Sequence, residues 1–296
     1  MPASTLLHDL LATGPFQRAA APYRLLELRG PDAGEFLHRL CTQDVLGLAD
    51  GALRPAAFLD AKGKLQVTCL IGRCGDAYVV ETQAEQGERL AALLERYQFT
   101  EKLTIAPLAL SPCVEVIGAA AAADVAAVQR AADRVTLVFP RRGLVFRRTH
   151  GGPTGPSSLP PLEVDRAECL RMIAGLVRVG IDTEPTTLAL EADLDDHCST
   201  TKGCYTGQEI VARIHTYGHV NRRLCLLQLA AGPAITAPQP LHDDDQLAVG
   251  RVLHAVPLPG GAARLGFGYL PKDFQAPGTR LALADGSVVE VLDAGV

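Results

Sequence analysis

The sequence predicts an α+β protein that ends in an antiparallel β-barrel. Helical and strand patterns are mixed over the first 220 residues, whereas after Arg222 short apolar strands follow one another, separated by Pro- and Gly-rich turns without a helix. The chain has 296 residues, a length that allows about two domains. We therefore expect an α+β region of two lobes over 1–220, with a loop near 149–162, and a barrel domain over 221–296.

The spacing of apolar residues predicts the elements of the first region in order. After an N-terminal helical segment, strand patterns lie at Tyr23–Gly30, on both sides of a tight turn at Ala61–Gly63, and at 76–82, Leu103–Leu108, Val114–Ile117, Val135–Phe139 and Leu144–Arg148. Helical patterns lie at 31–45, 84–99, 120–133 and 163–180. The helix at 120–133 is assigned from its alanine content. The residues expected to face inward from the other three are Phe36, Leu37, Leu40, Leu90, Leu93, Leu94, Tyr97, Val164, Leu170, Ile173 and Val177.

Composition and charge exclude several classes of protein. Hydrophobic residues make up 48% of the chain, which is typical of a globular protein. The net charge of −5 disfavours a dedicated nucleic-acid binder, because contacts with phosphate dominate that affinity. No apolar run approaches the roughly 18 residues that span a bilayer, and no basic cluster precedes the apolar part of the N-terminus. We expect a cytoplasmic protein without a membrane partner.

The stretch from Thr200 to Arg223, "TTKGCYTGQEIVARIHTYGHVNRR", carries the strongest functional signal. Thr206 and Glu209 have the spacing of a capping box, which predicts a helix that begins at Gly207. Cys204 lies just before that helix, where unpaired backbone N–H groups favour a negative charge, and Lys202 adds a cation. We therefore expect Cys204 to have thiolate character and to react with electrophiles or metals.

Two other interpretations of this stretch remain open. Cys204 could be an ordinary cysteine at a glycine-rich turn, and the capping box no more than the start of a helix. A zinc site is the other alternative, since two of the histidines have the H-x₃-H spacing of zinc ligands. Its candidate ligands are His197, Cys198, Cys204, His215 and His219.

The segment "KGCYTGQEIVAR" resembles the signature of the YgfZ family, folate-binding relatives of the glycine-cleavage T-protein that take part in iron–sulfur protein maturation. The segments "LALEADL", "FLHRLCTQDV" and "FLDAKGKL" resemble other conserved blocks of that family, so that the resemblance extends over nearly the whole chain. It implies a three-part, T-protein-like fold around a central cleft that holds tetrahydrofolate. It also implies a role in assembling or repairing the clusters of selected enzymes, some of which modify tRNA. The implied partners are a folate-type small molecule and iron–sulfur client or assembly proteins, with no direct contact to nucleic acid.

The resemblance also implies roles for individual residues. Cys204 becomes the functional cysteine, and Lys202 its electrostatic partner. Because one cysteine cannot hold a cluster unaided, any contact with a cluster is expected to be transient, and no resident metal is expected. The residues implied for the folate or for the shape of its turn are Glu191, Tyr205, Gln208, Glu209, Arg213 and Arg222. A carboxylate suits the N–H donor edge of a pterin, and an arginine suits a carboxylate tail.

The chain departs from the T-protein pattern at two positions. Where the T-protein has a catalytic aspartate, the stretch "GKLQVTC" offers Val67 and Thr68. Where the T-protein has a folate-reading glutamate in an Arg-x-Glu-x-Gly motif, the chain has Ile173 between Arg171 and Gly175. The leading hypothesis is therefore a YgfZ-like protein with a reactive cysteine. The alternatives are a tetrahydrofolate-dependent aminomethyl or one-carbon transferase, and a binding module without chemistry.

Overall fold

The computed structural model describes residues 3–19, 21–152 and 158–293, and it contains three β-sheets. The helices are α1 (Ala3–Leu11), α2 (Ala33–Leu40), α3 (Gly87–Tyr97), α4 (Val164–Ile173) and α5 (Gln208–Tyr217). The strands are β1 (Phe16–Arg18), β2 (Tyr23–Arg29), β3 (Leu53–Leu59), β4 (Leu65–Cys74), β5 (Ala77–Gln83), β6 (Thr104–Leu108), β7 (Cys113–Ala119), β8 (Ala127–Ala131), β9 (Arg134–Arg141), β10 (Leu144–Gly151), β11 (Arg222–Ala230), β12 (Gln239–His242), β13 (Ala248–Pro257), β14 (Ala263–Pro271), β15 (Arg280–Ala282) and β16 (Val288–Val291).

The first sheet has the order β3-β4-β5-β2-β6, and all its neighbouring strands are antiparallel. Alternation along the strands gives it two buried faces. Leu26, Leu28 and Val80 share one apolar cluster with Phe36 and Leu90 of the two covering helices α2 and α3. The opposite face, which carries Leu25 and Val79, belongs to a second cluster shared with the other sheet. This sheet is therefore buried on both sides.

The second sheet has the order β1-β7-β10-β9-β8. Its inward residues on β9 and β10 include Phe139 and Phe146, whose rings stack with centroids 5.1 Å apart. Both lie in the same apolar cluster as Leu25 and Val79 of the first sheet. The two sheets thus pack on a shared core, and the polar residues within that core position the cleft described below.

The third sheet is a closed barrel of order β11-β14-β13-β12-β15-β16, as the sequence predicts. Glycines allow its strands to pack closely: a Cβ at Gly268 would lie 2.6 Å from the carbonyl oxygen of Arg251 on the neighbouring strand. The strands of this barrel run from Arg222 to Val291. We therefore still propose that the boundary between the α+β region and the barrel domain lies between residues 220 and 221.

A network of buried charges joins the first two sheets. Arg148 on β10 donates from Nη1 to Glu81 on β5 (2.6 Å) and from Nε to Glu115 on β7 (2.8 Å). Its third nitrogen, Nη2, donates to the Tyr23 hydroxyl on β2 (2.8 Å). His150 adds a contact of 2.6 Å to the other oxygen of Glu81. Burial alone would raise the pKa of Glu81, but Arg148 and His150 outweigh it and hold this pKa below its usual value. Glu81 is therefore an ionised carboxylate inside the core.

Most elements predicted in the first region are confirmed, but two of the predicted helices are wrong in whole or in part. The alanine-rich segment 120–133 is not a helix, because Ala127–Ala131 pairs with β9 as the edge strand β8. Here the pairing of the sheet overrides the helical propensity of alanine. The helix predicted over 163–180 ends at Ile173, since Gly175 takes a left-handed backbone with φ of 66°.

Two smaller differences concern single side chains and one loop. Val164 and Tyr97 are exposed rather than inward, because each lies at the end of its helix. The predicted loop 149–162 begins later, since β10 continues to Gly151, and its part 153–157 lies outside the described residues. No helix in the described ranges has both the length and the apolar composition required to cross a membrane.

We predict that Arg148→Met lowers the free energy of unfolding by about 3 to 5 kcal/mol, because it leaves two buried carboxylates without their shared cation. Urea denaturation measures this quantity. Arg213→Met is the matched control, since Arg213 is exposed on α5, and its effect should be below about 0.5 kcal/mol. Equal stability of the two variants would contradict a structural role for the network.

Candidate functional site

Cys204 is the most accessible thiol of the protein. It is exposed, whereas Cys74 is half-buried and the other six cysteines are buried. Burial raises the pKa of the thiols of Cys169, Cys198 and Cys225 to about 12, so they stay protonated near neutral pH. No side chain of the described residues forms a hydrogen bond with the sulfur of Cys204, which leaves it open to an incoming partner.

Lys202 holds the Cys204 loop against the end of α2. Its ammonium group donates to the carbonyl oxygens of His38, Cys41 and Gln43, the last at 3.0 Å. In return, His38 Nε2 lies 3.0 Å from the carbonyl oxygen of Lys202. Burial lowers the pKa of Lys202. The ammonium group therefore points at backbone carbonyls, and among the described contacts it forms none with Cys204.

The helix after Cys204 begins differently from the prediction. The residue that caps α5 is Gly207, with a left-handed φ of 83°, and no side chain caps the helix. The predicted capping box of Thr206 and Glu209 is therefore wrong. Gly207 is required because a Cβ there would lie 2.6 Å from the carbonyl oxygen of Asp60 in the β3–β4 turn. This close approach fixes the Cys204 loop on the hairpin.

Four of the predicted site residues surround this loop. Gln208 accepts a hydrogen bond from the backbone N–H of Tyr205 (3.2 Å), so it does shape the turn. Tyr205 is buried, and the Lys202 ammonium lies 5.0 Å from its ring centroid. Glu209 and Arg213 are exposed on α5 and form no hydrogen bond with other described side chains.

The two remaining predicted residues, Glu191 and Arg222, are paired with each other. Arg222 Nε lies 3.4 Å from one carboxylate oxygen of Glu191. Arg222 Nη1 donates to the carboxylate of Glu184 at 2.6 Å. The second oxygen of Glu191 accepts from the backbone N–H of Leu188 at 3.1 Å. The structure thus brings these two together, at the edge of the barrel, with their charges already satisfied.

A cavity lies between the first two sheets, above the buried network. It encloses about 420 Å³ of empty space, open solvent included. Its lining residues are Tyr23, Thr68, Cys69, Leu70, Glu81, Thr82, Gln83, Phe139, Arg148, Leu176, Val177 and His197. We call it the Glu81 chamber. None of the six residues predicted to contact folate belongs to this lining.

A second cavity shares two lining residues with the first, Tyr23 and Gln83. It encloses about 380 Å³, and we call it the Arg178 chamber. Its lining residues are Arg18, Pro22, Tyr23, Gln83, Glu85, Glu115, Ile117, Phe146, Ala167, Glu168, Arg171 and Arg178. We call the two chambers together the central cleft.

The Glu81 chamber offers hydrogen-bond acceptors to a ligand. Besides Glu81 it is lined by His197, whose Nδ1 lies 2.8 Å from the carboxylate of Asp196. Burial lowers the pKa of His197, so the ring is neutral at pH 7, with Nδ1 donating to Asp196. Nε2 is then an acceptor, and it forms no hydrogen bond within the described part of the chain. Such a chamber suits a ligand edge that carries N–H donors.

The structure shows where the two residues that differ from the T-protein pattern lie. Thr68 lines the Glu81 chamber and donates its hydroxyl to the carbonyl oxygen of Val177 at 3.2 Å. The Glu81 chamber therefore has a neutral, hydrogen-bonded group in the stretch where the T-protein pattern has an aspartate. Ile173 is fully buried in the apolar core and lines neither chamber. The carboxylate that lines the Glu81 chamber is Glu81 itself, a residue that the sequence analysis did not single out.

The fold does not assemble the zinc site that was considered as an alternative. Its five candidate ligands are not brought together, since Cys198 and His197 are buried while Cys204 is exposed. Within the described residues, the group of three ligand atoms close enough for a metal is Glu81, Cys113 and His150. Both Glu81 and Cys113 contact the same nitrogen of His150, Nε2, at 2.6 and 3.6 Å, so these three do not form a proton relay through the ring.

Comparisons with known proteins agree with the motif. The iron–sulfur cluster assembly factor IBA57 homolog, mitochondrial, of Phaeosphaeria nodorum is 30% identical over 259 residues, which cover 82% of this chain and 61% of that protein. The tRNA-modifying protein YgfZ of Pectobacterium carotovorum is 27% identical over 253 residues, 77% of this chain and 73% of that protein. This chain is similar to the YgfZ and IBA57 proteins. It spans about three fifths of the length of the IBA57 homolog, and no family model matches it.

A solved structure confirms the predicted fold class of this YgfZ-like chain. The crystal structure of the glycine cleavage system aminomethyltransferase T from Bartonella henselae matches it with a TM-score of 0.76. The match covers 98% of this chain and 89% of that chain at 18% identity. At this identity the likeness shows the fold alone, which is T-protein-like with a C-terminal antiparallel barrel.

We predict that Lys202→Met lowers the free energy of unfolding of this YgfZ-like protein by about 2 kcal/mol, because three carbonyl oxygens lose their charged donor. Lys62→Met is the control, since Lys62 is exposed in the β3–β4 turn. Chemical denaturation compares both with the wild type. A Lys202 variant as stable as the control would show that the ammonium group does not anchor the loop.

Proposed function

We propose that this protein supports the assembly or repair of iron–sulfur clusters, and thereby tRNA-modifying enzymes, with Cys204 as its working thiol. The observation that carries the proposal is an exposed, unpartnered Cys204 in a fixed loop of a T-protein-like fold. Relatives similar over most of this chain are named as an iron–sulfur cluster assembly factor and as a tRNA-modifying protein. The implied partners are iron–sulfur client or assembly proteins.

The loop geometry supports a thiol that meets a macromolecular partner. Lys202 and Gly207 hold the loop on α2 and on the hairpin, and Cys204 is exposed within this loop. A single thiolate can supply one ligand to a cluster, while the other ligands must come from the partner. The cluster is then cargo, held in passing between two proteins.

We further propose that the central cleft binds tetrahydrofolate. The pterin ring of that molecule has a donor edge, and the acceptors Glu81 and His197 of the Glu81 chamber fit such an edge. Tetrahydrofolate would supply a carrier for one-carbon groups. The protein residues would bind and orient it: Glu81 as a fixed carboxylate, His197 as a neutral acceptor, and Tyr23 as an aromatic wall. The assignment of Glu191 and Arg222 to the ligand stays a competing prediction.

A second candidate function is aminomethyl or one-carbon transfer, which the likeness to an aminomethyltransferase structure favours. It predicts turnover with an aminomethylated carrier protein and tetrahydrofolate. Thr68 in place of a carboxylate disfavours it, because the chamber then lacks an ionised group at that position. A cytoplasmic location also stays a prediction, and the IBA57 homolog is named as mitochondrial.

Cys204→Ser tests the role of the thiol. We predict that the variant keeps the fold, since the side chain is exposed, and fails to restore iron–sulfur enzyme activity in cells that lack their own protein of this kind. Cys74→Ser, at a half-buried cysteine outside the loop, is the control and should restore it. Full rescue by Cys204→Ser would refute the proposed thiol and favour a binding module without chemistry.

Calorimetric titration with tetrahydrofolate tests the ligand and its place. We predict that the wild type binds and that His197→Leu weakens binding about tenfold, the effect of losing one buried hydrogen bond. Glu191→Ala should change the affinity less than about twofold. The reverse pattern would move the ligand to the Glu191–Arg222 pair, and no heat from the wild type would leave the cofactor unsupported.

A further inference from the structure

Three side chains that are able to bind a metal ion converge inside the core. Glu81 Oε1 lies 2.6 Å from His150 Nε2, and Cys113 Sγ lies 3.6 Å from the same nitrogen. The three ligand atoms all lie within 4.8 Å of one another. All three residues are buried, with at most 5% of their surface exposed. The cluster therefore brings together oxygen, nitrogen and sulfur ligands away from bulk water.

The strands of the two sheets fix the positions of these side chains. Cys113 on β7 and His150 on β10 are directly opposite each other in the antiparallel pairing. Glu81 comes from β5 of the other sheet. Arg148 donates from Nη1 to Oε2 of Glu81 at 2.6 Å, which leaves Oε1 directed at His150. In metal sites, hydrogen bonds to the ligating carboxylate orient it in the same way.

The distances are close to those of a tetrahedral zinc site. Zinc binds nitrogen and oxygen ligands at about 2.0 to 2.2 Å and thiolate sulfur at about 2.3 Å, so that two ligand atoms of a tetrahedron lie about 3.3 to 3.6 Å apart. The sulfur of Cys113 already has this separation from Nε2 of His150. The oxygen of Glu81 would move away from that nitrogen by about 0.7 Å, when an ion replaces the hydrogen bond between them.

The chemistry of the ligands selects the kind of ion. A thiolate and an imidazole favour zinc and related divalent transition metals. Calcium and magnesium are disfavoured, since they require about six or more oxygen ligands. Three protein ligands leave the fourth position of a tetrahedron for water.

A divalent ion would have to displace the protons that the cluster holds. Burial, together with the charge of Glu81, raises the pKa of the Cys113 thiol, so this thiol is protonated in the metal-free protein. A bound metal ion is the largest local charge and deprotonates a coordinating thiol. The proton on Nε2 of His150 would pass to Nδ1 or to solvent. The thiolate and Glu81 then balance the ion, while Arg148 stays paired with Glu115 at 2.8 Å.

From this geometry we propose that Glu81, Cys113 and His150 bind a divalent transition-metal ion of the zinc class. The ion would join the two sheets, because Glu81 belongs to one sheet and the other two ligands belong to the second. It would be separate from the iron–sulfur cluster proposed as cargo at Cys204. The sequence analysis expected no resident metal, since these three residues are far apart in the chain and only the packing of the sheets brings them together.

Cobalt(II) is a suitable probe, because a bond between cobalt and a thiolate gives a charge-transfer absorption in the near ultraviolet. The titration uses the full-length Cys204→Ser variant, so that the exposed thiol does not bind the ion. We expect one equivalent of cobalt to produce the absorption, and zinc to abolish it by displacement. Cys113→Ala in this background should lose the absorption, whereas Cys74→Ala, the control at the half-buried cysteine, should keep it. No absorption, or an absorption that survives Cys113→Ala, would overturn the site.

A second measurement needs no substitution at the site itself. X-ray absorption of the zinc-loaded Cys204→Ser variant should show one sulfur at about 2.3 Å and two or three nitrogen or oxygen atoms at about 2.0 to 2.2 Å. Its thermal midpoint should rise with zinc concentration, because the ion binds the folded state. A shell of nitrogen and oxygen alone, or an unchanged midpoint, would contradict the proposal. Neither result decides the role of Cys204, which rescue of the cells tests separately.

Discussion

The guanidinium group of Arg148 is the contact on which the central cleft depends. It joins Glu81 of one sheet to Glu115 of the other, and it also donates to Tyr23, which lines both chambers. A buried arginine is stable only when its N–H groups and its charge are matched, and here two carboxylates and a hydroxyl do so. The same contacts place Glu81 and Tyr23 in the cleft. The buried ion network and the proposed ligand site therefore share residues.

One short segment of the chain connects the cleft with the exposed thiol. His197 lines the Glu81 chamber, and Cys204 lies seven residues further along the chain in the exposed loop. Thr42 holds the start of this segment, because its hydroxyl donates to the carbonyl oxygen of His197 at 2.6 Å. Lys202 holds its end on α2. Under the proposed function, this segment would form a short covalent connection between a folate in the cleft and a partner protein at the thiol.

The sequence predicted most of the fold, whereas the ligand site that we propose includes residues that the sequence analysis did not indicate. Phe36, Leu37 and Leu40 are buried at helical spacing, as expected, because their pattern reports a local property of the helix. Cys204 was found because its motif is contiguous. Glu81 and Arg148 were missed, since each is a single charged residue in an apolar strand, and only the packing of the two sheets brings them together. The sequence did contain one signal for these two residues, because each is a charged residue at an inward-facing position of a strand.

A crystal structure of the protein with tetrahydrofolate tests the central claim most directly. The claim is that the network around Arg148 forms the floor of the ligand site. The account predicts ring density in the Glu81 chamber, within hydrogen-bond distance of Glu81 and His197. Density beside Glu191 and Arg222, with an empty space above Arg148, would contradict it.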